Sequence, residues 1–135
     1  MVTIDTNIAV YALTLTEKKV RAREALGVSD FLSVQVLNEY ANAARRKLKR
    51  DWTEVAGDVA ALRSVVGIIR PIREDATLHA VRIAERYQLA FYDALMIAVA
   101  LANGASVLYS EDMQHGLVID ERLTITNPFL DASPA

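Results

Sequence analysis

An α/β fold built on a mostly parallel sheet is what this chain predicts, on three observations. Short apolar runs alternate with stretches of helical periodicity along its whole length. Two of those runs, Met1-Val2-Thr3-Ile4 and Ser106-Val107-Leu108-Tyr109, stop abruptly at polar clusters, Asp5-Thr6-Asn7 and Ser110-Glu111-Asp112. Helix caps and stops fall at the boundaries between segments. The 135 residues suffice for one domain with a proper core, expected over residues 1–130 with 131–135 as a frayed end.

The segments follow in order. After the first strand, Ile8 to Leu13 reads as a short helix. Thr16 is placed to cap a second helix, about Glu17 to Leu26, with Gly27 as its stop. Phe31-Leu32 is a short apolar strand, and Ser33 caps a helix from Val34 to about Lys49. Val36, Leu37, Tyr40, Ala41, Ala44 and Leu48 form that helix's apolar stripe. Asp51 and Glu54 have the spacing of a capping box and open a helix from Trp52 to Val65, with Trp52 as core or helix-start anchor. Gly67 to Ile72 is a strand or extended connector, and Pro71 argues against a central position. Glu74 to Tyr87 is a helix with acids in its first turn, where the helix dipole favours them. Phe91-Tyr92-Asp93 leads into the most apolar helix, Ala94 to Asn103, stopped by Gly104. The Ser106 to Tyr109 strand and a last strand, Leu123 to Thr126, complete the pattern. Helices on both faces of the sheet are expected.

Composition narrows the function classes. Apolar residues make up 53% and charged residues 24%, which is globular rather than disordered. The net charge of −2 gives no bulk attraction to nucleic acid, so any such binding needs a local basic patch. There is no cysteine, which removes disulfides and thiolate metal sites and fits a cytoplasmic setting. No uncharged apolar run reaches membrane-spanning length, and the apolar start contains acidic Asp5 and no basic n-region, so a signal peptide is not expected.

Four acids carry the chemical reading. Asp5 and Asp112 each follow an apolar strand, and the ends of parallel strands point the same way. Glu39 lies beside the apolar stripe of its helix, early in that helix. Asp93 stands at the mouth of the apolar helix, with no other charge from Phe91 to Leu101. Helices of such folds begin near the carboxyl ends of strands, where open α/β sheets bind their ligands. Converging carboxylates repel and lose hydration, and a divalent cation removes the conflict. Oxygen-only donors favour Mg²⁺ or Mn²⁺ over Zn²⁺, and such a site suits phosphodiester hydrolysis. Singly, each acid has a plainer role: Asp5 as a helix cap, Asp93 as a dipole partner, Glu39 as a solvated helix residue, Asp112 as a turn residue. Their conjunction carries the functional reading.

The chain resembles PIN-domain proteins, and most of all the VapC-type ribonuclease toxins of toxin–antitoxin pairs. The matching pieces are Ile4-Asp5-Thr6-Asn7, Val36-Leu37-Asn38-Glu39, Tyr92-Asp93-Ala94-Leu95-Met96-Ile97-Ala98 and Leu108-Tyr109-Ser110-Glu111-Asp112-Met113. They occur in family order across almost the whole chain. The resemblance implies a three-layer α/β/α domain with Asp5, Glu39, Asp93 and Asp112 as metal-binding acids and Thr6, Asn7 and Ser110 as their hydrogen-bonding supports. It implies a Mg²⁺- or Mn²⁺-dependent endoribonuclease, usually a homodimer, restrained by an antitoxin protein. Either Glu111 or Asp112 could reach the metal; the family pattern favours Asp112.

Arg45-Arg46-Lys47-Leu48-Lys49-Arg50 is a basic run at the end of the Glu39 helix. It is either a solvated last turn or a phosphate-contact patch, with Arg45 and Arg46 as its candidate RNA contacts. His79 reads as a surface residue and His115 as a loop residue outside the chemistry. Two rival enzyme classes fit poorly. A haloacid-dehalogenase-like phosphatase needs a second aspartate where Asn7 stands, and a receiver domain needs paired acids where Thr6 follows Asp5. The remaining alternative is a PIN-like module that binds RNA or protein without cutting.

Overall fold

A computed structural model describes residues 1–130, so the frayed end expected at 131–135 lies outside the described residues. In chain order the elements are β1 (Val2–Ile4), α1 (Thr6–Ala12), α2 (Lys19–Gly27), β2 (Leu32–Ser33), α3 (Val34–Arg46), α4 (Trp52–Val66), β3 (Ile69–Arg70), α5 (Glu74–Tyr87), α6 (Phe91–Ala102), β4 (Val107–Tyr109), β5 (Val118–Ile119) and β6 (Leu123–Thr126). The main sheet has the order β1-β4-β6-β5, parallel except for β5, and β2 and β3 form a separate parallel pair. The fold is the α/β architecture expected from the alternation of segments.

Register explains why two acidic clusters meet. Ile4 on β1 lies beside Tyr109 on β4, so the chain leaves both strands at the same end of the sheet. The Asp5 amide continues the ladder one step further by donating to the Tyr109 carbonyl at 2.8 Å. Although β2 is not laddered to β1, side chains tie the two segments together. The Thr3 hydroxyl donates to the Phe31 carbonyl (2.6 Å), and Asp30 accepts from the Val2 amide (2.7 Å). The start of α3 is thereby brought beside the end of β1.

The core runs from Ile4, Leu108 and Ile125 on the sheet to α6, where every residue from Ala94 to Leu101 is buried. A helix with no polar face must be covered all round, which accounts for the unbroken apolar run. On α3 the stripe alternates between buried Val36, Tyr40 and Ala44 and half-buried Leu37 and Ala41, and half-buried Leu48 continues it just past the helix end. The Tyr40 hydroxyl keeps a partner in the core by donating to Asp58 (2.7 Å), which also takes two hydrogen bonds from Arg50 (2.6 and 2.9 Å).

Capping follows the sequence closely in places. Ser33 accepts from the Gln35 amide at 3.1 Å, and Asp51 and Glu54 form a full capping box at 2.8 and 3.1 Å. Gly67 ends α4 at φ +83°, a backbone conformation that costs a side chain strain. Elsewhere the boundaries shift. The first helix begins at Thr6 because Asp5 itself takes the cap position. The second begins at Lys19, since the Thr16 hydroxyl is used within the preceding turn, accepting from the Lys18 amide at 3.4 Å. The third stops at Arg46 and the chain turns through Lys49 at φ +56°. Trp52 is not a core residue: it is 64% exposed at the start of α4, with the Arg45 guanidinium 5.1 Å from its ring centre. Among the described residues no helix is long and apolar enough to cross a membrane.

Candidate active site

Asp5 is the N-cap of α1 and is only 6% exposed. One of its oxygens accepts from the Thr6 amide and the other from the Ser110 hydroxyl, both at 2.8 Å. Burial pushes its carboxyl up from 3.8 to about 6; the Ser110 and Thr6 hydrogen bonds pull it down, and the charges of Asp93 and Glu39 push it up further. Glu39 projects from α3 and accepts from the Thr6 hydroxyl at 2.6 Å. Half-buried Asp93 sits in the first turn of α6. Its carboxyl is also raised, by burial first and then by the charges of Asp112 and Glu39. Asp112, in the loop after β4, is exposed and accepts from the Asn7 side-chain amide at 2.9 Å.

All four acids line one open cleft of about 680 Å³, together with Thr6, Asn7, Tyr11, Asn42, Arg46 and Lys47. The ends of β1 and β4 supply two acids, and the second turn of α3 and the first turn of α6 bring the other two. Thr6, Asn7 and Ser110 each hydrogen-bond at least one acid. Each of Asp5, Glu39 and Asp112 is therefore tethered to a neighbour. Among the described residues no three acid or histidine side chains stand close enough together to grip an ion. The donor set still fits a hard divalent cation: it is all oxygen, and the raised carboxyls of Asp5 and Asp93 are the ones a nearby positive charge would relieve.

Adjacent Glu111 and Asp112 separate cleanly. Asp112 lines the cleft, whereas Glu111 accepts from the Tyr11 hydroxyl (2.7 Å) and pairs with Lys18. Burial alone would raise the Glu111 carboxyl, but its bonds to Lys18 and Tyr11 outweigh that and hold it below the usual range. The basic run separates too. Arg46 and Lys47 line the cleft and make no ion pair or side-chain hydrogen bond among the described residues. Arg45 points elsewhere, donating to the Arg50 carbonyl at 3.2 Å and covering Trp52. Helical spacing explains the difference, because Glu39, Asn42, Ala43 and Arg46 recur at i, i+3, i+4 and i+7 on one face. That spacing was readable in the sequence and would have found Asn42 and preferred Arg46 to Arg45. Lys47, Tyr11 and Lys18 leave no such local signal. Neither histidine lines the cleft: His79 is half-buried 3.7 Å from Asp120, and His115 accepts from the Asn127 amide at 3.0 Å.

The PIN-domain family model matches residues 2–116. Among solved structures the chain is similar to the VapC20 toxin of Mycobacterium tuberculosis, described as cleaving the sarcin–ricin loop. The identity is 19%, with 83% of this chain and 90% of that one covered and a TM-score of 0.68. It is similar also to a toxin–antitoxin complex from Klebsiella pneumoniae, at 19% identity over 96% of this chain and 98% of that one, with a TM-score of 0.67. No curated protein matches the chain.

Proposed function

Since this chain belongs to the PIN-domain family, we propose that it is a divalent-metal-dependent endoribonuclease, the toxin of a toxin–antitoxin pair. The observation that carries the reading is the convergence of Asp5, Glu39, Asp93 and Asp112, from four separate segments, on one cleft that also holds Arg46 and Lys47. The resemblance in fold to toxins, one described as RNA-cleaving and one solved within a toxin–antitoxin complex, supports the choice of substrate and partner.

In this reading the four acids hold Mg²⁺ or Mn²⁺. When bound, the cation polarises the phosphoryl group and activates water for in-line hydrolysis. Ser110 and the Thr6 amide fix the Asp5 carboxylate, the Thr6 hydroxyl orients Glu39, and Asn7 orients Asp112. Arg46 and Lys47 draw the phosphates flanking the scissile bond to a cleft whose own charge would repel them. No side chain forms a covalent intermediate. A homodimer and a cytoplasmic setting belong to the proposal on the family resemblance and the cysteine-free composition.

The test is cleavage of total cellular RNA by purified protein, with Mg²⁺ or Mn²⁺, with chelator, and with Asp5→Asn prepared in parallel. Cutting that needs both metal and Asp5 supports the reading. Protein freed of any antitoxin that binds diverse RNA with metal and never cuts it would instead make the chain an RNA-binding module.

A further inference from the structure

Three of the four acids stand on or directly beside regular elements, but Asp112 stands in a loop, so something must hold that loop. Two sets of side chains do. On one side Asn7 clips two successive residues: its carbonyl oxygen accepts from the Glu111 amide (3.3 Å) while its amide donates to Asp112 (2.9 Å). On the other side the Glu111 carboxylate is gripped at both oxygens, one by the Tyr11 hydroxyl (2.7 Å) and the other by the Lys18 ammonium. Lys18 is itself packed over two rings, 4.7 Å from the centre of Tyr11 and 5.4 Å from that of Phe129, and those rings meet edge to face. The cluster thus ties the acid loop to α1, to the α1–α2 connection and to the segment after β6.

We propose that the Glu111–Lys18–Tyr11 cluster is a latch that sets the position of Asp112, and thereby how strongly the acidic cleft holds its divalent cation. Glu111 is then a positioning residue and not a ligand. Successive residues divide the work: one carboxylate grips the scaffold and the next faces the cleft. Lys18 also neutralises a fifth acid beside four that already repel. The inference rests on the reading of Asp112 as a metal ligand.

The test measures Mn²⁺ binding by electron paramagnetic resonance, with thermal unfolding as a check on the fold. Wild type, Asp112→Asn, Glu111→Gln and Lys18→Met are compared. Removing such a supporting partner costs about tenfold in metal affinity. Glu111→Gln and Lys18→Met are each expected to weaken Mn²⁺ binding by about that factor, and the double variant no more than the worse single one. In metal-free protein, amide exchange from Glu111 to Met113 is expected to speed up in both. Lys18→Met retains Glu111 and Tyr11, so it decides the matter if Glu111→Gln unfolds. Unchanged Mn²⁺ affinity in a folded latch variant overturns the proposal. Binding that ignores Asp112→Asn but collapses in Glu111→Gln overturns it differently, by making Glu111 the ligand. Binding that is absent in the wild type overturns the metal-site reading itself and the latch with it.

Discussion

Asp5→Asn should stabilise the metal-free protein while abolishing cleavage. The native carboxyl sits near 6 rather than 3.8, chiefly because it is buried. Ionising it in the folded state at pH 7.5 therefore costs about 3 kcal/mol relative to the unfolded chain. Asparagine removes that cost and keeps the cap, since its oxygen can accept from the Thr6 amide and its amide can turn to Ser110. Imperfect geometry will take back part of the gain, so about 1–3 kcal/mol is expected, or on the order of 3–10 °C in Tm for a chain of this size. The pH dependence identifies the cause. For an acid whose folded pKa is raised, the penalty is complete above about pH 6 and fades as pH falls towards 3.8. The ionisation penalty on Asp5 should fall to about half by pH 5 and to about a fifth by pH 4, and the advantage of Asn should shrink by the same amount. The assay is thermal unfolding of both proteins in chelator at pH 7.5, 5 and 4, repeated with Mg²⁺ at pH 7.5. Added cation should raise the Tm of the wild type and leave the variant nearly unmoved. An Asn variant less stable than wild type at pH 7.5, or a difference that ignores pH, would refute the argument and leave Asp5 as a cap.

Other outcomes follow from the same structure. Asp93→Asn should lose cleavage yet fold normally, because its carboxyl is half-buried beside other acids; circular dichroism alongside the RNA assay checks both. Arg46→Ala/Lys47→Ala should weaken RNA binding and flatten its salt dependence by roughly 1.4 in the log–log slope, whereas Arg45→Ala should leave that slope unchanged. Tyr40→Phe should cost about 1 kcal/mol in denaturant unfolding, and Asp58→Ala about 1–3 kcal/mol because it strands both the buried Tyr40 hydroxyl and Arg50.

What the sequence made legible were features written in local pattern. The apolar run of α6, the capping box at Asp51 and Glu54, and the polar breaks after β1 and β4 all depend on neighbours within a few positions, and all appear as read. The meeting of four acids was legible because parallel strands impose a common direction on their ends. The departures arise where several nearby partners compete for one group, which a local pattern does not rank, or where the partner lies far away in the chain. The Thr16 hydroxyl is taken up by a turn instead of capping a helix. Of the two roles open to Trp52, core or helix-start anchor, burial in the core is excluded, since it stands exposed at the start of α4 under Arg45. Strand β5 has two residues, too few to show any period, and exists through its pairing with β6. The division between Glu111 and Asp112 depends on Tyr11 and Lys18, about a hundred residues earlier, and no local pattern encodes it.

The four acids are held by different means, and this bears on how the cleft would respond to change. Asp5 is locked by two hydrogen bonds in a buried cap, so its position is as stable as the junction of β1 with α1. Glu39 and Asp93 ride on helices whose apolar faces pack into the core. Asp112 alone is exposed and depends on side-chain ties. Opening a loop costs far less than unfolding a helix, so the cleft should lose its geometry at Asp112 before any other acid moves. Repulsion works in the same direction, because Asp112 already raises the carboxyl of Asp93. Without a cation to offset that repulsion, the exposed member yields most readily. Metal binding and loop order are therefore expected to be coupled, each strengthening the other by the same factor. If so, amide exchange from Ser110 to Met113 should slow when Mg²⁺ is added, while exchange in α6 stays as it was. Equal slowing in both would mean that the cation stabilises the fold as a whole and that Asp112 has no separate mobility.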